Sequence, residues 1–271
     1  AGSVTANNVI LAQTNAPAGS ESKTKGTITM RGGSFDVSDN VTDGAGVSTI
    51  EILNGTMTVG GDFAVDNVLV GSNGGTAVLD IDGAVVIGSG ADSALNVAVV
   101  TGSGTDGGAG TLDLAGATSV AINVGTVRIA NSGNGVSSTG TVHLSGGANT
   151  IRADEIVIGN RKSSATVDMA AGGSLDIQGQ IGARANLSIG VNDINTGSTP
   201  LATLDATAGA FTAQLDQLVL GYKSGSSLTG TGNGELLLGT NAANNVSAKD
   251  VVIAYQSGTG SATGLLQMRG G

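Results

Sequence analysis

One short pattern recurs nine times along this chain of 271 residues and constrains its fold more than any other feature. The pattern is a polar residue, then two apolar residues separated by one residue of any type, and usually a glycine or alanine after them. The first apolar residues of the nine copies are Val9, Val41, Val68, Val97, Val127, Ile156, Leu187, Leu218 and Val251. Successive copies are separated by a nearly constant stretch of chain, with a period of about 30 residues. Such a repeat indicates a solenoid, in which each turn stacks on the previous one.

A second pattern alternates with the first, as in TITMRGG at 27–33, TLDLAGA at 111–117 and TVHLSGG at 141–147. Apolar residues two apart predict short β-strands, and no segment keeps the three- or four-residue spacing of a helix. We therefore predict an all-β fold, a right-handed parallel β-helix (β-solenoid) of about nine rungs of about 30 residues, with about three short strands each. Residues 1–271 would form a single domain about 43 Å long. We expect it to be a segment of a longer or polymerising protein.

Composition shows how this fold can be built and excludes several functions. The 47 glycines suit the corners, and aromatic residues make up only 2% of the chain, so small aliphatic side chains must fill the core. Eleven basic residues against 21 acidic ones give a net charge of −10, which argues against nucleic-acid binding. The longest apolar run, at 94–100, is too short for membrane insertion. With no cysteine and one histidine, we expect no cofactor other than Ca²⁺.

Two long segments carry a family resemblance: GTLDLAGATSVAINVGTVRIAN at 110–131 and GTVHLSGGANTIRADEIVIGN at 140–160. They resemble the β-strand repeats of bacterial autotransporter passengers and related secreted surface proteins. The resemblance implies an extracellular or cell-surface bacterial protein that acts in adhesion or matrix formation. It therefore favours a non-enzymatic structural or adhesive module that contacts glycans or other cell-surface components.

The middle residue of the second pattern should point outward, because its two neighbours point into the core. Along the chain these residues are Thr29, Glu51, Asp80, Asp113, His143, Asp168, Asp205, Leu237 and Gln267. Such a row has three interpretations: a solvated stripe that keeps the rod soluble, a cation or glycan site, or a catalytic site. Carboxylates in register suit Ca²⁺, so we predict a Ca²⁺ stripe at Asp80, Asp113, Asp168 and Asp205.

His143 lies between two acidic residues of this row and could act as a general base. The simpler interpretation is that it relieves the repulsion between them. We assign no catalytic residue and predict no enzyme activity. The alternative function is a β-helix that binds or cleaves polysaccharide with its acidic stripe.

The first pattern also has apolar outward residues, which marks an interaction surface. The predicted interface residues are Ile10, Leu69, Val157, Val219 and Val252. Either the long spacers, at 12–26, 101–110, 130–140, 190–200 and 221–234, fold back from one corner to cover this face, or another chain does. Because neither end of the pattern is capped, we predict self-association, end to end or laterally.

Overall fold

The computed structural model describes residues 2–14, 24–100, 106–132, 136–193, 198–224 and 230–269. In these ranges the chain forms 22 β-strands whose pairings are parallel, and one 3₁₀ turn at Gln180–Gly182. The strands build a parallel β-solenoid, as the sequence predicts. The chain passes through three stacked rows of strands in a fixed order, and we call these rows ladder 1, ladder 2 and ladder 3.

Within the described ranges, ten strand segments stack in ladder 1, and nine each in ladders 2 and 3. Ladder 1 holds β1 (Ser3–Ala6), β8 (Thr76–Ile81), β10 (Ala109–Asp113), β12 (Thr139–Leu144), β15 (Ser164–Met169), β18 (Ala202–Ala206), β20 (Thr231–Leu238) and β22 (Ser261–Met268). Ladder 2 holds β2 (Val9–Leu11), β4 (Val41–Asp43), β6 (Phe63–Val65), β13 (Ala148–Arg152) and β16 (Ser174–Gln178). Ladder 3 holds β7 (Asn67–Val70), β14 (Glu155–Asn160) and β17 (Ala185–Asn192).

Six longer strands bend at a corner and serve two ladders each. Ladder 3 and then ladder 1 contain β3 (Lys25–Val37) and β5 (Val47–Val59). Ladder 2 and then ladder 3 contain β9 (Ala84–Val100), β11 (Ser119–Ser132), β19 (Ala210–Lys223) and β21 (Asn245–Gln256). Each complete turn therefore has three short straight segments.

Turn length varies more than a single period implies. In ladder 1 the early turn from Asp36 to Thr58 takes 22 residues, and in ladder 2 the turn from Asp62 to Ala84 takes the same number. The later turn from Asp176 to Thr212 takes 36 residues. The difference lies in the connections between ladders, because the paired strands keep their register.

This variation makes some sequence assignments wrong. Val9 and Val41 lie in ladder 2, whereas Val68 and the later copies of the first pattern lie in ladder 3. In the next turn Leu95, rather than Val97, is in register with Val68. The long spacers also leave from two corners. The spacer at 12–26 joins ladder 2 to ladder 3, whereas the other four join ladder 3 to ladder 1.

One continuous apolar core fills the space between the ladders. Its largest fully buried side chains include Phe63, Phe211, Ile50, Met57 and Leu79. Two of the three phenylalanines of the chain are therefore in ladder 2, and aliphatic side chains supply most of the remaining core. Burial of these rows, turn on turn, is the main force that holds the solenoid together.

A left-handed backbone conformation recurs where ladder 3 turns towards ladder 1. The residues in this row are Gly71, Ala98, Ala130, Gly159, Gly190, Gly221 and Ala254, with φ between 53° and 73°. The first pattern ends in glycine or alanine for this reason. Small residues at the start of the ladder 1 strands face the row: a Cβ added to Gly159 would lie 2.4 Å from the Cβ of Ala202. The chain can turn tightly at this corner because the left-handed row and the ladder 1 residues that face it both have small side chains or none.

Candidate functional site: the acidic stripe and the solenoid ends

The predicted carboxylates do stand in one row on the outer face of ladder 1. Asp80 pairs with Asp113, Asp113 with His143, His143 with Asp168, and Asp168 with Asp205. We call these five residues the acidic stripe. In register with it, towards the first turn, stand Thr58 and Asp36.

Two residues assigned to this row from the sequence lie elsewhere. Thr29 and Glu51 pair with each other in ladder 3, and Glu51 is followed there by Leu69. Sequence reasoning missed Asp36. The segment SFDV at 34–37 alternates apolar and polar residues over only one pair, so it did not match the second pattern. Its register could have been found only by allowing a turn much shorter than the average period.

Most carboxylates of the stripe already have partners in the fold. The Asp113 carboxylate accepts a hydrogen bond from the backbone N–H of Ala115 at 3.0 Å. That of Asp205 accepts bonds from the backbone N–H and the hydroxyl of Thr207, at 2.9 and 2.6 Å. Both carboxylates thus close the turn from ladder 1 to ladder 2, which explains an aspartate at this position without any ligand.

The histidine of the stripe pairs with the acid on one side of it. His143 Nδ1 lies 2.7 Å from Asp168 Oδ1, and both side chains are more than one third exposed. An imidazole between Asp113 and Asp168 separates two like charges that would otherwise be adjacent. This geometry fits the interpretation in which His143 relieves repulsion.

Asp80 and Asp113 are neighbours in the stripe with no histidine between them. Burial, and then the charges of Asp113 and Asp82, raise the pKa of Asp80 above its usual value. A groove of about 360 Å³ runs beside it, lined among others by Asp36, Asp80 and Asp82. Among the residues that the structure describes, no three histidine, cysteine, aspartate or glutamate side chains converge to hold a metal ion. The stripe offers Ca²⁺ adjacent pairs of carboxylates at most.

The predicted apolar interface divides between two ladders. Leu69, Val157, Val219 and Val252 belong to the outer face of ladder 3, but Val157 and Val219 are buried there, at 9% and 7% exposure. Ile10 is on ladder 2 and is 59% exposed. Polar residues interrupt the ladder 3 row, namely Asn96, Arg128 and Ser188. Ala98, the middle residue of the first pattern in this turn, is not in this row but is a fully buried corner residue. Residues 15–23, 101–105, 133–135, 194–197 and 225–229 of the long spacers lie outside the described ranges.

A second group of acidic residues, which sequence reasoning missed, lies at the corner between ladders 2 and 3. Asp43, Asp66 and Asp92 line a cavity of about 490 Å³. Asp66 is buried and accepts a hydrogen bond from the backbone N–H of Ser48 at 3.0 Å. Burial, and then the charge of Asp66, raise the pKa of Asp43 to about 6. The sequence gives no signal for this group because three different turns supply it.

Core-facing side chains are exposed at both ends of the solenoid. In the last turn Val251, Ile253 and Met268 are 52%, 46% and 68% exposed, and a cavity of about 230 Å³ opens among the three ladders. In the first turn Val4 is 58% exposed. The corresponding side chains of interior turns are fully buried, for example Leu218. These faces can accept another turn of solenoid.

Comparison with known protein families, with curated proteins and with solved structures finds no match for this chain. In the described part of the chain no helix has the length and apolar character needed to cross a membrane.

Proposed function

We propose that this chain is a non-enzymatic structural module, a rod that assembles end to end into fibres. The apolar faces of the first and last described turns support the proposal. Apolar surface that would be buried by one more turn favours addition of such a turn, either from more of the same polypeptide or from a second copy. A contact between two different ends does not close on itself, so repetition gives a filament.

The resemblance to autotransporter passengers supports a position outside a bacterial cell or on its surface, and a role in adhesion. The side faces of the rod suit that role. They carry rung-to-rung ion pairs, such as Arg152 with Asp176 at 2.7 Å and Arg128 with Glu155 at 2.8 Å. Charged and polar side faces keep a rod soluble while its ends associate.

The alternative, a polysaccharide-binding or polysaccharide-cleaving β-helix, depends on the acidic stripe. The groove beside Asp36, Asp80 and Asp82 is the observation in its favour. Against it, Asp113 and Asp205 are committed to turns and Asp168 to His143. A structural role for the stripe accounts for these partners directly.

The experiment is sedimentation velocity of the purified chain over a wide range of concentration, with negative-stain images of the same samples. We expect assembly that increases with concentration, and fibres of constant width whose lengths are multiples of about 43 Å. A 26.0 kDa monomer at every concentration would contradict the proposal. The alternative predicts instead that an acidic or neutral polysaccharide is bound or shortened, and that Asp80→Asn abolishes the effect.

A further inference from the structure

A lysine is fully buried just after ladder 3 turns towards ladder 1. This residue is Lys223, the last residue of β19. A lysine in the interior of a protein is rare, because its ammonium group loses its hydration and needs charged or polar partners in return. Asn192, the last residue of β17, is in register with Lys223 in the neighbouring turn and is buried as well. Two polar side chains of successive turns are therefore enclosed together.

The amine of Lys223 is held against the side-chain amide of Asn192. Lys223 Nζ donates a hydrogen bond to Asn192 Oδ1 at 3.3 Å, and Asn192 Nδ2 donates one to the backbone carbonyl of Thr231 at 3.2 Å. Because Oδ1 is bonded to Cγ at about 1.2 Å, Nζ lies within about 4.5 Å of that carbonyl carbon. A rotation about the last bonds of the lysine side chain shortens this distance to about 3–3.5 Å, at which an amine can attack. The bond to Thr231 keeps the amide beside the amine.

We propose that Lys223 and Asn192 form an intramolecular isopeptide bond once the chain has folded. Nζ of the neutral amine attacks Cγ of the Asn192 amide, and the Nζ–Cγ bond forms as the bond between Cγ and Nδ2 breaks. The proton that Nζ loses passes to Nδ2, which leaves as ammonia. The reaction needs no oxidant or reductant, and its product is an amide between neighbouring turns. This inference is independent of the proposed end-to-end assembly.

Burial favours the form of the lysine that can react. Loss of hydration disfavours the ammonium ion and lowers the pKa of Lys223, and it outweighs the charge of Asp193, which raises this pKa. A desolvated lysine with a lowered pKa is a better nucleophile than a hydrated one, because more of it is the neutral amine. The Asp193 carboxylate accepts a hydrogen bond from Arg161 Nε at 2.8 Å, so a second cation shares its charge. The buried site thus places a reactive amine against an amide.

The reaction also removes the cost of a buried charge. Protonation of the unmodified lysine places an ammonium ion in the interior, whereas an amide carries no charge and keeps one donor and one acceptor. The bond joins residues 31 positions apart in two turns that otherwise only stack. Such a closed loop restricts the unfolded chain, as a disulfide does. In a chain without cysteine, the isopeptide bond is a covalent link that its composition allows.

Intact mass spectrometry of the purified natural chain tests the bond. We expect a mass about 17 Da below the value calculated from the sequence, because one ammonia is lost. Lys223→Met and Asn192→Leu should each have the full mass calculated for the variant. Lys249→Met is the matched control, since Lys249 also reaches a residue of the neighbouring turn, Asp216 at 2.6 Å, but its side chain is 65% exposed. This variant should keep the deficit, and a natural chain of full mass would overturn the inference.

Trypsin locates the bond, because it cleaves after a lysine only when the amine is unmodified. Lys223 is the one basic residue between Arg184 and Lys249 in the sequence. A chain with the bond should give one uncut peptide, 185–249, about 17 Da lighter than its sequence. Two peptides separated by a cut at Lys223 would overturn the inference, as would a deficit located in any other peptide. This map of the natural chain decides the question even where a variant does not fold.

Discussion

At the scale of single residues, the solenoid depends on how little room its ladder 3 to ladder 1 corner leaves. Where the left-handed row has alanine, the facing row has glycine: a Cβ on Gly140 would lie 2.8 Å from the backbone nitrogen of Ala130. Where the left-handed row has Gly159, the facing residue can be Ala202. One methyl group fits between the two rows, and two do not.

Gly159→Ala should therefore lower the free energy of unfolding by about 2–4 kcal/mol, of which about 1 kcal/mol is the cost of an alanine with positive φ. Gly172→Ala is the matched control. Its φ is 83°, but a Cβ there meets no atom within 4 Å, so it should cost only the backbone part. Urea unfolding followed by circular dichroism measures both. Ala202→Gly should restore part of the stability of Gly159→Ala, and equal losses at Gly159 and Gly172 would contradict the packing argument.

A second residue-scale prediction concerns pH. Burial and the charge of Asp66 raise the pKa of Asp43 to about 6. Between the ordinary pKa of an aspartate and this raised value, Asp43 is protonated in the folded protein and ionised in the unfolded chain. The free energy of unfolding should then fall as pH rises from about 4 to above 6. Asp66 and Asp92 line the same cavity, which increases the repulsion once Asp43 ionises. The sign is the reverse of that for Asp176, whose pKa is lowered: burial opposes this shift, but hydrogen bonds from Thr212 and Arg152 outweigh it.

Asp43→Asn should remove this dependence and stabilise the protein at pH 7.5 by about 1 kcal/mol, a value reduced for solvent screening. Amide hydrogen exchange of β4 and β6 at pH 5 and pH 7.5 provides the measurement. Asp39→Asn, which removes an exposed carboxylate nearby, is the control and should leave the pH dependence in place. If hydrogen exchange shows that β4 and β6 of the natural protein become more stable as pH rises from 4 to 7, the prediction is contradicted.

At the scale of the elements, alternation was sufficient to predict the strands, and the solenoid follows from their repetition. The register of the strands was harder to predict, because the strands of all three ladders have the same alternation of apolar and polar residues. The stripe from Asp80 to Asp205 was predicted correctly, since its strands belong to successive turns with similar sequences. Thr29 and Glu51 were misplaced because the turns there are shorter than the average period. The group around Asp43 depends on how turns stack, which no local pattern encodes.

The partners of the stripe residues lead to a prediction for Ca²⁺. With Asp113 and Asp205 closing turns and Asp168 paired with His143, we expect millimolar Ca²⁺ to leave the melting temperature unchanged. Thermal melts in Ca²⁺, in equal Mg²⁺ and after treatment with a chelator make the comparison. A rise of several degrees specific to Ca²⁺ would show binding by mass action and support the cation interpretation.

At the scale of the whole molecule, each turn is held by its two neighbours, so the solenoid behaves as a one-dimensional stack. Stability is then approximately a sum over turns, and a turn can be removed if the register on either side survives. The turn between Met57 and Leu79 suits this test because it is one of the short turns and contains none of the long spacers. Its core residues have equivalents on both sides: Phe63 pairs with Val41 below and with Val85 above.

Deletion of residues 58–79 should therefore give a folded rod that is one turn shorter. Met57 is then followed by Asp80 and Ile81, which point outward and inward as Thr58 and Val59 did. Deletion of residues 58–78 leaves one more residue in the chain but shifts the alternation, which turns Leu79 outward and Asp80 into the core. We expect the first variant to keep the β-sheet circular dichroism spectrum and most of its melting temperature. The second should lose the cooperative transition of the turns around the deletion, because an unpaired carboxylate in an aliphatic core is strongly destabilising. Equal stability of the two variants would mean that the ladder pairings assigned to this part of the chain are wrong.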